Sequence, residues 1–219
     1  MSGKRRHSYR QGDLAEGIGL EVLRTFSLVA PIPRADDVGI DALATLLRRE
    51  GQNLFPEESF FIQVKSVPKP STWKYELDVD EIHWLRGLEL PMFLAAVSLP
   101  ESLIRIYSYN AVNVLLARNT LSPELTIKLG RIENEIVTRD VQTDVYLGDP
   151  ICILNVSDAV SNKEVRLQAY RLLKVHIQRE KLNLLIRDAG LCYWWVAGIM
   201  SESWPWNRDK KGDFRAEQF

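Results

Sequence analysis

Three consecutive residues, Gln63, Val64 and Lys65, bring an amide oxygen, a backbone carbonyl and an ammonium group together. In a strand the side chains alternate, so Gln63 and Lys65 share one face while Ile62 and Val64 take the other. Two polar ends on one sheet face are costly inside a core. That end of the strand must open to water, or its groups must have partners. Asp41 offers a partner. It opens a strand predicted over Ile40 to Leu47, just after Gly39, and Ser59 to Ser66 is predicted as the next strand. A hairpin joining them runs antiparallel, which sets the start of the first against the end of the second. Asp41, the Gln63 oxygen and the Val64 carbonyl then converge on one divalent cation, with Lys65 beside it. Such a set suits phosphodiester cleavage, which needs a Lewis acid on a non-bridging oxygen. It also needs a cation near the charge that grows in the transition state. Taken singly, Gln-x-Lys is more often an exposed strand face and Gly-x-Asp a turn; their order around one hairpin is what carries the reading.

The positioning elements follow from periodicity. Leu14, Ala15, Ile18, Gly19, Val22 and Phe26 recur at helical spacing and predict a helix from Gln11 to Val29, ended by Pro31 and Pro33. Asp36 to Gly39 is a turn, and polar Arg48 to Glu58, with Gly51 and Pro56, is predicted as the loop of a long hairpin. A third strand is expected over Trp73 to Val79, then a short helix from Asp80 to Gly87 capped by Asp80. Pro91 to Leu99 is almost wholly apolar, as a strand covered on both faces must be. Leu103 to Tyr109 alternates beside it, and Asn110 to Arg118 is helical. Strand-like pieces lie around Leu125 to Ile132 and Val145 to Ile153, and a long charged helix runs from Ser161 to Asp188. This order implies an α/β fold, a central mixed sheet flanked by helices with an extra C-terminal helical region. The division expected is a core over 1–120, an extension over 121–203 packed on it, and a polar, mobile tail over 204–219.

Charge and sulfur narrow the chemistry. Cys152 and Cys192 lie far apart among apolar residues and are read as two buried thiols, while His7, His83 and His176 lack the spacing of a helical metal site. Any metal is therefore held by oxygen, which points to Mg2+ or Mn2+. The net charge of -1 does not announce a nucleic-acid binder. Local basic groups exist nonetheless: Lys4, Arg5, Arg6 and Arg10 crowd the N-terminus, and Lys163, Arg166, Lys174 and Lys181 line one side of the long helix with Tyr170 and Gln178 between them. That stripe either follows a phosphate backbone or is a solvated helix face. Tyr193, Trp194 and Trp195 are read as a core or subunit contact, and Trp204 and Trp206 as base-stacking rings or a stray aromatic tail. No apolar run approaches the roughly 20 residues of a membrane helix, and the first residues are no secretory signal; a cytoplasmic protein without membrane contact is expected.

Gly39-Ile40-Asp41 followed after a hairpin by Gln63-Val64-Lys65-Ser66 resembles the PD-(D/E)XK nuclease superfamily, nearest its small uncharacterised bacterial branch that reads GxD and then QVK(S/T). The resemblance spans roughly residues 10 to 110. It implies a restriction-endonuclease-like core and a Mg2+-dependent endonuclease that cuts DNA, or RNA, in restriction, repair or phage defence, with a homodimer as one way to cut two strands. It further implies an acid on the first helix that completes the metal shell; Glu16 matches that place and Glu21 is the reserve. The usual acid of the motif is Gln63 here, so the site carries one negative charge fewer. The competing expectation is a nuclease-fold module without catalysis that binds nucleic acid or a protein.

Overall fold

The computed structural model describes residues 7–33, 39–118, 124–130, 144–187 and 189. The architecture is α/β: a six-stranded mixed sheet with helices on both faces, and a separate three-stranded sheet.

Helix α1 (His7–Arg24) buries Ala15, Gly19, Leu20, Val22 and Leu23, while Leu14, expected on that stripe, is exposed. The helix stops earlier than its apolar spacing predicts. The Thr25 and Ser27 hydroxyls donate to the Val22 and Leu23 carbonyls, both at 2.7 Å, and satisfy groups that a further turn would have used. Ser27–Pro31 becomes edge strand β1 instead, antiparallel to β2 (Ala42–Glu50). A second correction concerns the supposed loop. Strand β3 (Asn53–Ser66) pairs with β2 as far as Glu50↔Asn53, closed by a tight turn in which Gly51 takes φ +60, so Arg48 to Glu58 is mostly paired strand. Its polar residues are tolerated because the hairpin tip is solvated, Glu50 pairs with Arg48, and Glu57 and Glu58 pair with Lys174 and Lys181.

Strand β4 (Lys74–Leu77) is shorter than expected and leaves the main sheet to pair with β7 (Leu125–Lys128), itself parallel to β8 (Asp144–Tyr146). Helix α2 (Val79–Gly87) is capped by Asp78, not Asp80: the Asp78 carboxylate accepts from two backbone N–H groups, and Glu81 reaches back to the Asp78 N–H. It returns the chain to β5 (Met92–Ser98), parallel to β3 and buried at every residue, and β6 (Leu103–Ser108) runs antiparallel beside it. Helix α3 (Asn110–Arg118) follows; β9 (Cys152–Asn155) closes the sheet against β6, then α4 (Val156–Ser161) and α5 (Lys163–Arg187). The main sheet, of order β1-β2-β3-β5-β6-β9, and the small sheet, of order β4-β7-β8, thus each combine strands from before and after residue 120.

Alternation along β3 divides the interior in two. Phe60, Ile62 and Val64 join the core under α1, α4 and α5, whereas Phe61 packs against the core under α2, α3 and the small sheet. Helix α1 approaches so closely that a Cβ on Gly19 would sit 2.8 Å from Val64 Cγ1. Gln63 and Lys65 therefore face away from α1, toward the small sheet, sharing a face as the strand period requires. Among the described residues no helix is long and apolar enough to cross a membrane.

Candidate functional site

The β2–β3 register sets Ala42 opposite Ile62, and one step further Asp41 comes opposite Gln63 on the same face. Pairing stops there, with Asp41 N–H donating to the Ile62 carbonyl at 3.0 Å. The next backbone donor of β3, Val64 N–H, has lost its β2 carbonyl. The Asp41 carboxylate takes its place, accepting that N–H through Oδ2 at 2.5 Å. Gly39, at φ +94, turns the chain into this position and lies under Trp84, whose Cζ3 is 3.5 Å from where a Cβ would be.

Gln63 forms the floor. It is 2% exposed, and its Oε1 accepts from the Tyr109 hydroxyl at 2.9 Å. Burial above all, with the negative charges of Asp41 and Glu81 adding to it, pushes the Tyr109 hydroxyl far above its ordinary range, so it stays a proton donor. Lys65 is partly exposed and holds its ammonium 5.1 Å from the centre of the Tyr75 ring. Tyr75 donates to Glu81 Oε1 at 2.9 Å, while Glu81 Oε2 accepts the Asp78 N–H, so the α2 cap also fixes the ring against Lys65. Tyr75, Glu81 and Tyr109 escape sequence reasoning, since a tyrosine in an alternating strand looks like core; the Asp78-x-x-Glu81 spacing, passed over for Asp80, is the signal that could have found the cap and Glu81 with it.

A metal would meet oxygen donors only. Asp41 supplies a carboxylate, Gln63 and Val64 supply carbonyls, and the Asp41 and Gln63 oxygens keep a lone pair besides the one used by the Val64 N–H or the Tyr109 hydroxyl. The set fits a hard cation in kind, yet only Asp41 brings charge. Among the described residues no three of His, Cys, Asp and Glu are grouped as a metal site. Glu16 is partly buried on α1, in the layer that covers the Val64 side of the sheet, opposite the face of Gln63 and Lys65. Glu21, the reserve, is exposed and ion-paired to Arg24. Compared with known proteins, the chain matches no family model, no curated protein and no solved structure.

The basic stripe of α5 docks inside the chain. Lys174 pairs with Glu57 at 2.7 Å and Lys181 with Glu58 at 2.5 Å, while Tyr170 donates to Glu57 and Gln178 to Glu58. Arg166 donates to the carbonyls of Ala159 and Val160 at the end of α4; Lys163 is exposed at the start of α5. Two of the four cations offered to phosphate thus hold the β2–β3 hairpin against α5. Cys152 is buried, which pushes its thiol up to about 12. His83 is exposed and His176 buried, on separate helices. Cys192, the aromatic residues 193–195, 204 and 206, the basic residues 4–6 and the tail over 204–219 lie outside the described residues.

Proposed function

We propose that this chain is a metal-dependent hydrolase of phosphodiester bonds in nucleic acid, built on the PD-(D/E)XK plan, with Asp41, Gln63 and Lys65 as its centre. One observation carries the reading: the Asp41 carboxylate sits on the backbone N–H in the middle of Gln63-Val64-Lys65, at 2.5 Å. Asp41, the Gln63 oxygen and the Val64 carbonyl would hold Mg2+ or Mn2+; Glu16, the further acid that the resemblance implies, lies on the other face of the sheet and is left out of this set. When bound, such a cation supplies Lewis-acid stabilisation of the phosphate oxygen. Lys65 places a positive charge against the phosphate from a fixed position over Tyr75, and Tyr109 orients the Gln63 amide from the buried side. DNA is the first substrate to test, with RNA next.

A specific observation favours a second reading, a nuclease-fold module that binds without cutting. Gln63 is neutral, buried and already bound by Tyr109. The decisive experiment incubates plasmid and single-stranded DNA with Mg2+ or Mn2+ and compares wild type with Asp41→Ala and Lys65→Ala. The hydrolase reading expects each variant to lose about a hundredfold or more in rate, the scale of removing one transition-state electrostatic contact. Equal rates in all three proteins would refute it. Absence of cutting, together with no rise in melting temperature at millimolar metal, would favour the non-catalytic module.

A further inference from the structure

Between Lys65 and Tyr75 the chain carries three lysines, two aromatic rings and no acidic residue, in a molecule whose net charge is -1. Pro68 and Pro70 stiffen this connection, and a short 3-10 turn over Pro70–Thr72 delivers Trp73 to the start of β4. Trp73 and Tyr75 are two residues apart and so project to one side. Both are partly exposed and rest on the second core. Their rings are tilted by 20° with centroids 6.3 Å apart. Offset aromatic pairs span about 4.5–7 Å, so these rings are slid apart and leave part of each face uncovered by the other, as a step. Lys65 stands at 5.1 Å from the Tyr75 ring, and Lys69 is exposed at the turn of the connection.

We propose that Trp73 and Tyr75 form a stacking step for an unpaired base, so that the strand entering the site beside Lys65 is single-stranded; this rests on the hydrolase reading of that site. Every base has a π-face, and rings next to cations are the usual means of binding single strands without reading sequence. A duplex keeps its bases stacked inside and has nothing to offer the step. The same connection presents Lys65 and Lys69 to the backbone phosphates that flank such a base. The rings are held before any ligand arrives, by Glu81 on the Tyr75 hydroxyl and by the prolines, so little ordering is left for binding to do.

The test measures anisotropy of a labelled oligothymidylate and of a labelled duplex of equal length, with wild-type chain in EDTA. Single-strand binding at least about tenfold tighter than duplex binding is expected. Trp73→Leu, which keeps apolar bulk on the core, is expected to weaken the single strand by about five- to a hundredfold and to leave the duplex unchanged. Tyr75→Phe, which keeps the ring, retains most of the single-strand affinity. Tighter binding of an oligouridylate than of the oligothymidylate identifies the strand as RNA and the reverse identifies it as DNA; both support a stacked base. Equal affinity for single strand and duplex, or an equal loss of both in Trp73→Leu, overturns the proposal. Because EDTA removes cutting from the measurement, failure of the hydrolase reading leaves a positive binding result standing. Conversely, a wild type that cuts single strand and duplex alike, with no loss in Trp73→Leu, removes the step and spares the hydrolase.

Discussion

Replacing Glu180 with glutamine should change the way stability depends on pH. Glu180 lies on the inward side of α5, 2% exposed, and accepts from the Ser108 hydroxyl and from Asn113 Nδ2 at 3.0 Å. Burial raises its carboxyl from 4.5 to about 7, against the opposing pull of those hydrogen bonds and of Arg179. An unfolded chain releases this proton near 4.5, whereas the folded one keeps it until about 7. The unfolded state therefore binds fewer protons across that window, and stability falls as pH rises through it. At about 1.4 kcal/mol per tenfold change in proton affinity, the full loss is about 3 kcal/mol above pH 7. His176, one turn earlier, is shifted the other way: burial lowers it from 6.5 to about 4, so its contribution is lost as pH falls through 6.5 toward 4. The two slopes oppose each other between about pH 4.5 and 6.5. Their cancellation makes denaturant unfolding at successive pH values informative only as a difference. Glu180→Gln minus wild type should grow by about 3 kcal/mol between pH 4.5 and 8 and be level beyond. Any cost of turning the Asn113 amide to face glutamine is independent of pH and drops out. A difference that stays constant from pH 4.5 to 8 would show that Glu180 is not held protonated, and the argument would fail.

Three other outcomes follow from the site and the layer behind it. Gln63→Glu should tighten Mn2+ binding at least tenfold in a titration of melting temperature, because a second carboxylate beside Asp41 adds charge to the donor set; no change would mean that the cation does not touch residue 63. Tyr109→Phe should cost about 1–3 kcal/mol in urea unfolding, the desolvation cost of leaving the buried Gln63 carbonyl unpaired. A loss below about 0.5 kcal/mol would show that another donor replaces the hydroxyl. Gly19→Ala should destabilise by about 1–3 kcal/mol, since its Cβ meets Val64 Cγ1 at 2.8 Å; an unchanged denaturation midpoint would mean that α1 shifts freely.

The legible parts of this protein are those that depend on strand geometry alone. A period of two puts Gln63 and Lys65 on one face whatever surrounds them, and any hairpin sets the start of β2 against the end of β3. The α/β order and the buried strand β5 followed from the same kind of pattern. What stayed hidden depends on partners distant in sequence. Glu57 and Glu58 look like loop residues until Lys174 and Lys181 pair with them. The α5 stripe looks available to phosphate for the same reason, seen from the other side. Strand β1 was concealed because its apolar residues continue the helical spacing of α1, and only the Thr25 and Ser27 hydroxyls mark the break. Tyr109 contributes to the site through a contact 46 residues from Gln63. No local pattern encodes that distance.

Gln63 gives the site its character, and the reason is electrostatic. Two carboxylates side by side on a buried floor repel unless a cation lies between them, so a glutamate here would tie folding to metal. The amide removes that dependence: the Gln63 oxygen accepts from the Tyr109 hydroxyl and the Asp41 carboxylate from the Val64 N–H, so each has a partner within the protein. Under the hydrolase reading, the missing charge then has to come from the substrate. Magnesium is commonly held by one or two carboxylates together with the phosphates it acts on, and Asp41 alone meets the lower of those numbers. Metal and nucleic acid should therefore bind better together than apart, each raising the affinity of the other by the same factor. The Gln63 amide, which looks like decay when compared with an acidic motif, is equally the feature that would make the cation wait for its phosphate.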